Sequence, residues 1–257
     1  MTQGERRLYL IKELLAEDER YKNTPVPQTS TEQRRLLRAL FNVRMPSPAS
    51  EEFIKIQDEY LKAETEKAGI TDYKALSPIE DGIYLWQGDI TTLKCDAIVN
   101  AANSQMLGCF CPNHNCIDNA IHTFSGVQLR LKMAQIMNGR AEKTGGAIIS
   151  PAYNLPCKYV IHTVGPIVND TPDKNDFSLL ESCYRSCLAL ADEHKLTSIA
   201  FCCISTGEFC FPNEAACDTA ISTVKKYKAE TGSKIEVIFN VFKDRDYELY
   251  SERLKGN

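Results

Sequence analysis

After residue 82, short apolar runs alternate with longer amphipathic stretches, and this rhythm constrains the chain more than any other feature. The runs are "IYLWQG", "DAIVNAA", "GAIISPA", "KYVIHTVG", "SIAFCCIS" and "KIEVIFNVF". They are rich in β-branched and aromatic residues, which suit strands. Between them, helical patterning is best over 117–137, 177–194, 213–230 and 244–254. Apolar strands separated by amphipathic helices imply an α/β fold, with a largely parallel sheet covered by helices on both faces. Ligands of such sheets bind beyond the carboxyl ends of the strands. Candidate chemistry is therefore sought in the loops there.

Residues 1–80 read differently, as a helical N-terminal extension to a domain spanning 81–257. Leu8, Ile11, Leu14 and Leu15 recur at helical spacing, and "STEQ" (Ser30 to Gln33) reads as a capping box before Leu36, Leu37, Leu40 and Phe41. Phe53, Ile54, Gln57, Tyr60 and Leu61 mark a third helix that ends near Gly69. Proline-rich joints at 25–27 and 46–48 separate the three. No two residues here combine into a plausible active site, so the extension reads as scaffold or partner surface.

Several function classes are disfavoured. No run of about 18 apolar residues suits a membrane span. The first residues are charged and lack a signal-peptide core, so the expected location is the cytoplasm. A net charge of −4 argues against a nucleic-acid binder. Eleven cysteines are an odd number for a disulfide framework. In a reducing compartment, clustered cysteines point first to metal or catalysis. Cys183, Cys187, Cys202 and Cys203 lie in apolar surroundings and read as small core residues.

The strand-end loops hold the unusual residues. Asp89 follows the first strand. Asn100 and Asn103 follow the second, where their carboxamides can meet sugar hydroxyls or cap the turn. "STGEFCFPNEAA" is a glycine-containing loop opening onto a helix, a place where backbone N–H groups favour phosphate. "LGCFCPNHNC" (107–116) packs three cysteines and a histidine together, and is open to reading as a disulfide knot, a reactive thiol patch, a buried loop or a metal site.

In this order, "GDIT" (88–91), "DAIVNAANS" (96–104), "CIDNAIH" (116–122), "GGAIISPAYNLPCKYVIHTVGP" (145–166) and "ISTGEFCFP" (204–212) resemble the macrodomain family, which binds ADP-ribose. The resemblance implies the macrodomain fold, a mixed and mostly parallel sheet. It implies that Asp89 accepts from the adenine amino group and that Ile90 lines that pocket through its backbone. Asn103 would contact the distal ribose. Ser205, Thr206, Gly207, Glu208 and Phe209 would wrap the diphosphate, and Phe242 would stack on adenine.

Where many macrodomains carry glycines, this chain has "GCFCPNHNC", similar to the zinc-containing macrodomains of pathogenic microbes, which remove ADP-ribose from proteins. Their genes neighbour a macrodomain-linked sirtuin and a glycine-cleavage-H-like carrier. The resemblance implies one Zn(2+) per chain on Cys109, His114 and Cys116. Catalytic zinc needs a vacant position, which leaves Cys111 off the metal. Asp118, in the first turn of a helix that lowers its proton affinity, and Asn103 are the catalytic candidates. His122 and His162 read as core histidines, and His194 as a helix C-terminal residue. The activity so implied is zinc-dependent removal of mono-ADP-ribose from protein side chains, reversing sirtuin-type modification of a lipoylated carrier. Two other classes stay open: an ADP-ribose reader with a structural zinc, and a redox sensor built on thiolates near a helix N-terminus.

Overall fold

A computed structural model describes residues 1–256. Three helices come first, α1 (Gln3–Glu17), α2 (Ser30–Val43) and α3 (Glu51–Ala68). Then follow β1 (Thr71–Asp72), β2 (Ile83–Gln87), β3 (Leu93–Lys94), β4 (Ala97–Ala102), α4 (Ile117–Ser125) and α5 (Val127–Met137). The chain continues through β5 (Ala147–Pro151), β6 (Tyr159–Val164), α6 (Lys174–Glu193), β7 (Ser198–Phe201), α7 (Asn213–Thr231), β8 (Glu236–Val241) and α8 (Asp244–Lys255).

Six strands form one sheet in the order β2-β8-β7-β4-β6-β5. Every neighbouring pair is parallel except β5–β6. The sheet is thus mixed and mostly parallel: the apolar runs imply its parallel part, and the resemblance its mixed character. Helices α6, α7 and α8 pack on one another and on β5, β6, β2 and β8, while α4 and α5 cover β4 and β5. A parallel sheet needs both faces covered because its strands are apolar on both. Ile98, Val99, Val160, Ile161, Ile199, Val237 and Ile238 have no exposed surface.

The three N-terminal helices build an apolar cluster of their own from Leu10, Ile11, Leu14, Leu37, Leu40, Phe53 and Leu61, into which Val127 of α5 packs. The three helices lie over α4, which α2 and α3 touch. The polar residues Asn42, Gln57 and Arg130 sit buried between the two hydrophobic regions.

Two local expectations are corrected. The cap of α2 is Thr29, not Ser30: Thr29 Oγ1 accepts from the N–H of Glu32. Gln33 is buried instead against Arg7. The stretch 117–137 is two helices, not one. Gly126 separates them with φ 99° and ψ 173°, a region open essentially to glycine alone. A Cβ there would come within 2.6 Å of both Gln128 Oε1 and Gln57 Nε2. Gln57 Oε1 accepts from the N–H of Val127 at 2.9 Å, so α3 caps the start of α5.

Candidate active site at the carboxyl ends of the strands

The ends of β2, β4, β6, β7 and β8 lie along one edge of the sheet, because these strands are mutually parallel. That register brings together Asp89, the 103–116 loop, Gly165, the 205–212 loop and Phe242.

Asp89 is exposed and caps a turn of 3-10 helix, Ile90–Thr92. Its Oδ1 accepts from the N–H and hydroxyl of Thr91 at 2.9 and 2.7 Å. Ile90 behind it is buried. Phe242, directly after β8, is 73% exposed, a large apolar ring left at the site's edge. The loop after β7 turns tightly. Ser205 has φ 65°, and its carbonyl accepts from the N–H of Phe211. The Ser205 hydroxyl is buried with no hydrogen-bond partner among the described residues. It lies so close to Gly165 that a side chain on Gly165 would collide with it. Gly207 faces open space. Val168 N–H donates to the Phe209 carbonyl, tying this loop to the segment after β6. Thr206 is half-buried and Glu208 exposed.

Asn103 and Asn100 take different roles. Asn103 Oδ1 accepts from the N–H groups of Gln105 and Met106, and its Nδ2 donates to the Gly108 carbonyl. Its side chain therefore shapes the loop that carries Cys109. Asn100 stands opposite His162 in the sheet register and donates to Asp118 Oδ1 at 2.7 Å. His162 in turn contacts Asn100 and Ser150 through its two ring nitrogens, at 3.1 and 2.9 Å. Burial holds it neutral, with its pKa pushed down to about 3.

Asp118 corrects one expectation. It does sit in the first turn of α4, but it is 5% exposed. Desolvation pushes its pKa up to about 6, against the opposing hydrogen bond from Asn100 and the positive charge of Arg130. Burial here outweighs the helix terminus. His122 lies on the same helix face, 3.6 Å away, and neither ring nitrogen has a hydrogen-bond partner among the described residues. Burial keeps it neutral, far below the ordinary histidine range. His194, the C-cap of α6, contacts the Leu190 carbonyl at 2.9 Å.

The ligating atoms of Cys109, His114 and Cys116 lie within 4.8 Å of one another. His114 Nδ1 is 3.5 Å from Cys109 Sγ. Ligands of a tetrahedral zinc stand roughly 3.5–3.8 Å apart, so this donor set fits the ion after small adjustments. Cys111 is exposed and stays outside the group. Cys116 is also the N-cap of α4, its sulfur accepting from Asn119 N–H at 3.4 Å. Burial pushes its thiol up to about 12. On the far side of the imidazole, His114 Nε2 is 3.4 Å from Glu208 Oε1.

The chain aligns over 98% of its length with a protein-ADP-ribose hydrolase of Treponema medium, at 52% identity and 99% of that protein's length. A macro domain family model matches residues 99–220. The chain belongs to the macrodomain family. A protein-ADP-ribose hydrolase of Staphylococcus aureus is 50% identical over 95% of this chain and 93% of its own. Among solved structures, the Trypanosoma brucei macrodomain in complex with ADP-ribose matches 89% of this chain and 97% of its own, at 28% identity and a TM-score of 0.66. In this macrodomain, sequence reasoning overlooked Arg38, Asn42 and Arg130, which reach the cysteine–histidine loop from a distance. No spacing rule finds partners about 75 residues away, as Arg38 is from His114.

Proposed function

We propose that this macrodomain is a hydrolase that removes mono-ADP-ribose from modified protein side chains, and that it depends on one zinc ion held by Cys109, His114 and Cys116. The observation that carries the reading is the donor set lying beside buried Asp118, beyond the carboxyl ends of the strands, where parallel sheets bind their ligands. The name shared by relatives about half identical to this chain supports the hydrolytic half of it. Held by Cys109, His114 and Cys116, zinc would supply a Lewis acid to the distal ribose or to water.

The residues divide the remaining work. Asp89, the backbone of Ile90 and the Phe242 ring hold the adenine. The N–H groups and hydroxyls of Ser205, Thr206, Gly207, Glu208 and Phe209 hold the diphosphate, so that remote contacts fix the reacting bond. Asn103 shapes the turn beneath the distal ribose. In the reaction the oxygen of water bonds to the anomeric carbon, and the bond from that carbon to the side-chain oxygen breaks. Asp118 accepts the proton of the attacking water, a role that suits a carboxylate with a raised pKa. Asp118 then gives that proton up to the leaving side-chain oxygen, so that one hydrogen of the water ends on the ribose hydroxyl and the other on the freed side chain. The substrate we assign is a glycine-cleavage-H-like lipoylated carrier, modified by a macrodomain-linked sirtuin in the cytoplasm. Residues 81–257 are the catalytic domain and 1–80 its helical extension.

The test is release of free ADP-ribose from such a modified carrier, with and without a chelator. Cys116→Ala and His114→Ala are expected to abolish release while circular dichroism keeps its native form, and Cys111→Ser to keep one zinc per chain. Full activity of the metal-stripped protein sinks the zinc dependence. Tight binding without any release turns the protein into a reader.

A further inference from the structure

The cysteine–histidine loop is gripped from α2, an element that reads as scaffold in the sequence. Arg38 Nη2 donates to the His114 carbonyl at 3.1 Å and to Asn119 Oδ1 at 2.9 Å, and Arg38 Nε reaches the same amide oxygen at 3.2 Å. Asn119 has no exposed surface. It passes the contact on, donating from Nδ2 to the Cys111 carbonyl at 3.0 Å and from its backbone to Cys116 Sγ. One turn along α2, Asn42 Oδ1 accepts from the N–H of Asn113 at 2.9 Å, while its Nδ2 donates to Thr123 Oγ1. Asn113 has φ 56°, the left-handed region that asparagine tolerates better than most residues.

Positions 38 and 42 are four apart and so share one face of the helix. Their side chains hold the backbone immediately before His114 and at His114 itself. Through Asn119, Arg38 also holds the carbonyl of Cys111. All of these groups lie in the short segment that separates Cys109 from Cys116. A loop left free would have to be ordered by the ion, at the expense of affinity, whereas a loop already held binds without that loss.

We infer that Arg38 and Asn42 are positioning residues of the metal centre, which fix the backbone around His114 so that its imidazole faces Cys109 and Cys116 before the ion arrives. This rests on the proposed metal site and assigns part of the extension a role in it. Gln57 provides the contrast. It joins the extension to α5 through the N–H of Val127 and touches nothing in the loop.

The experiment measures zinc affinity of the full-length chain by competition with a chromophoric chelator. Arg38→Met and Asn42→Ala are expected to bind zinc about 10- to 100-fold more weakly, as for other residues that support ligands from behind. Gln57→Ala is expected to lower the melting temperature yet leave zinc affinity within about 3-fold of native, since it supports no ligand. In the cobalt-loaded proteins, the visible absorption bands should change for Arg38→Met and Asn42→Ala and stay native for Gln57→Ala. Arg38→Lys keeps the charge but loses the two-pronged contact. It replaces Arg38→Met if that variant does not fold, with the same direction of change. Native affinity in the Arg38 and Asn42 variants overturns the inference, as does an equal loss in Gln57→Ala. A native chain that takes up no zinc at all overturns the metal site itself, and is told apart because the reference protein fails before any variant is compared.

Discussion

Asp118 is a carboxylate that the fold keeps from water without giving it a cation in contact. Its partners are the Asn100 amide and, at longer range, Arg130. Because its folded pKa is raised, its contribution to stability is present below the unfolded value near 4 and is lost as pH rises through about 6. Asp118→Asn in the metal-free protein is therefore expected to be more stable than native at pH 8, by up to about 3 kcal/mol, with the gap closing toward pH 4. Urea unfolding in the presence of chelator measures this, and a variant less stable than native at pH 8 contradicts it. At this scale the sequence was legible where chemistry is local. The grouping of Cys109, His114 and Cys116 follows from a few adjacent residues. The pKa of Asp118 was not legible, since the direction depends on how deeply α4 is buried, which only packing decides.

Among the elements, most helices of the sheet layer were readable from apolar spacing and its six strands from apolar, β-branched runs, although the runs do not give the antiparallel direction of β5. The break between α4 and α5 was hidden because apolar spacing runs on through Gly126. What stops the helix is Gln57, brought in from α3 to take the first N–H of α5. Gly126→Ala forces a side chain into a backbone region meant for glycine and against the amides of Gln57 and Gln128. It is expected to lower stability by at least about 2 kcal/mol. Denaturant midpoints at unchanged m-value are the measure, and a neutral result contradicts the assigned role of the break. The misplaced cap at α2 has a similar origin: Thr29 and Ser30 are both good capping residues, and only the geometry of the preceding joint selects between them.

In the whole molecule, two apolar regions are joined through buried polar groups. Arg130, 5% exposed, is the principal tie. It donates from Nε to the Leu107 carbonyl and from Nη1 to the carbonyls of Phe41 and Arg44, with the Phe110 ring stacked 4.3 Å from its guanidinium carbon. Burial lowers its pKa only to about 10, so the charge persists at neutral pH. Arg130→Met strands these carbonyls and is expected to cost about 2–4 kcal/mol. The native chain should unfold in one transition, with fluorescence of Trp86, the single tryptophan, in β2 coinciding with helical circular dichroism. Separate transitions would show the two regions to be independent. The join also has a direction in time. Domains form from the N-terminal side as the chain is made, and Arg38 and Asn42 leave the ribosome while His114 is still untranslated. Their helix packs chiefly on α1, which is made before it. By the time the cysteines emerge, the surface that receives them can already stand assembled, and the loop is shaped by a template older than itself.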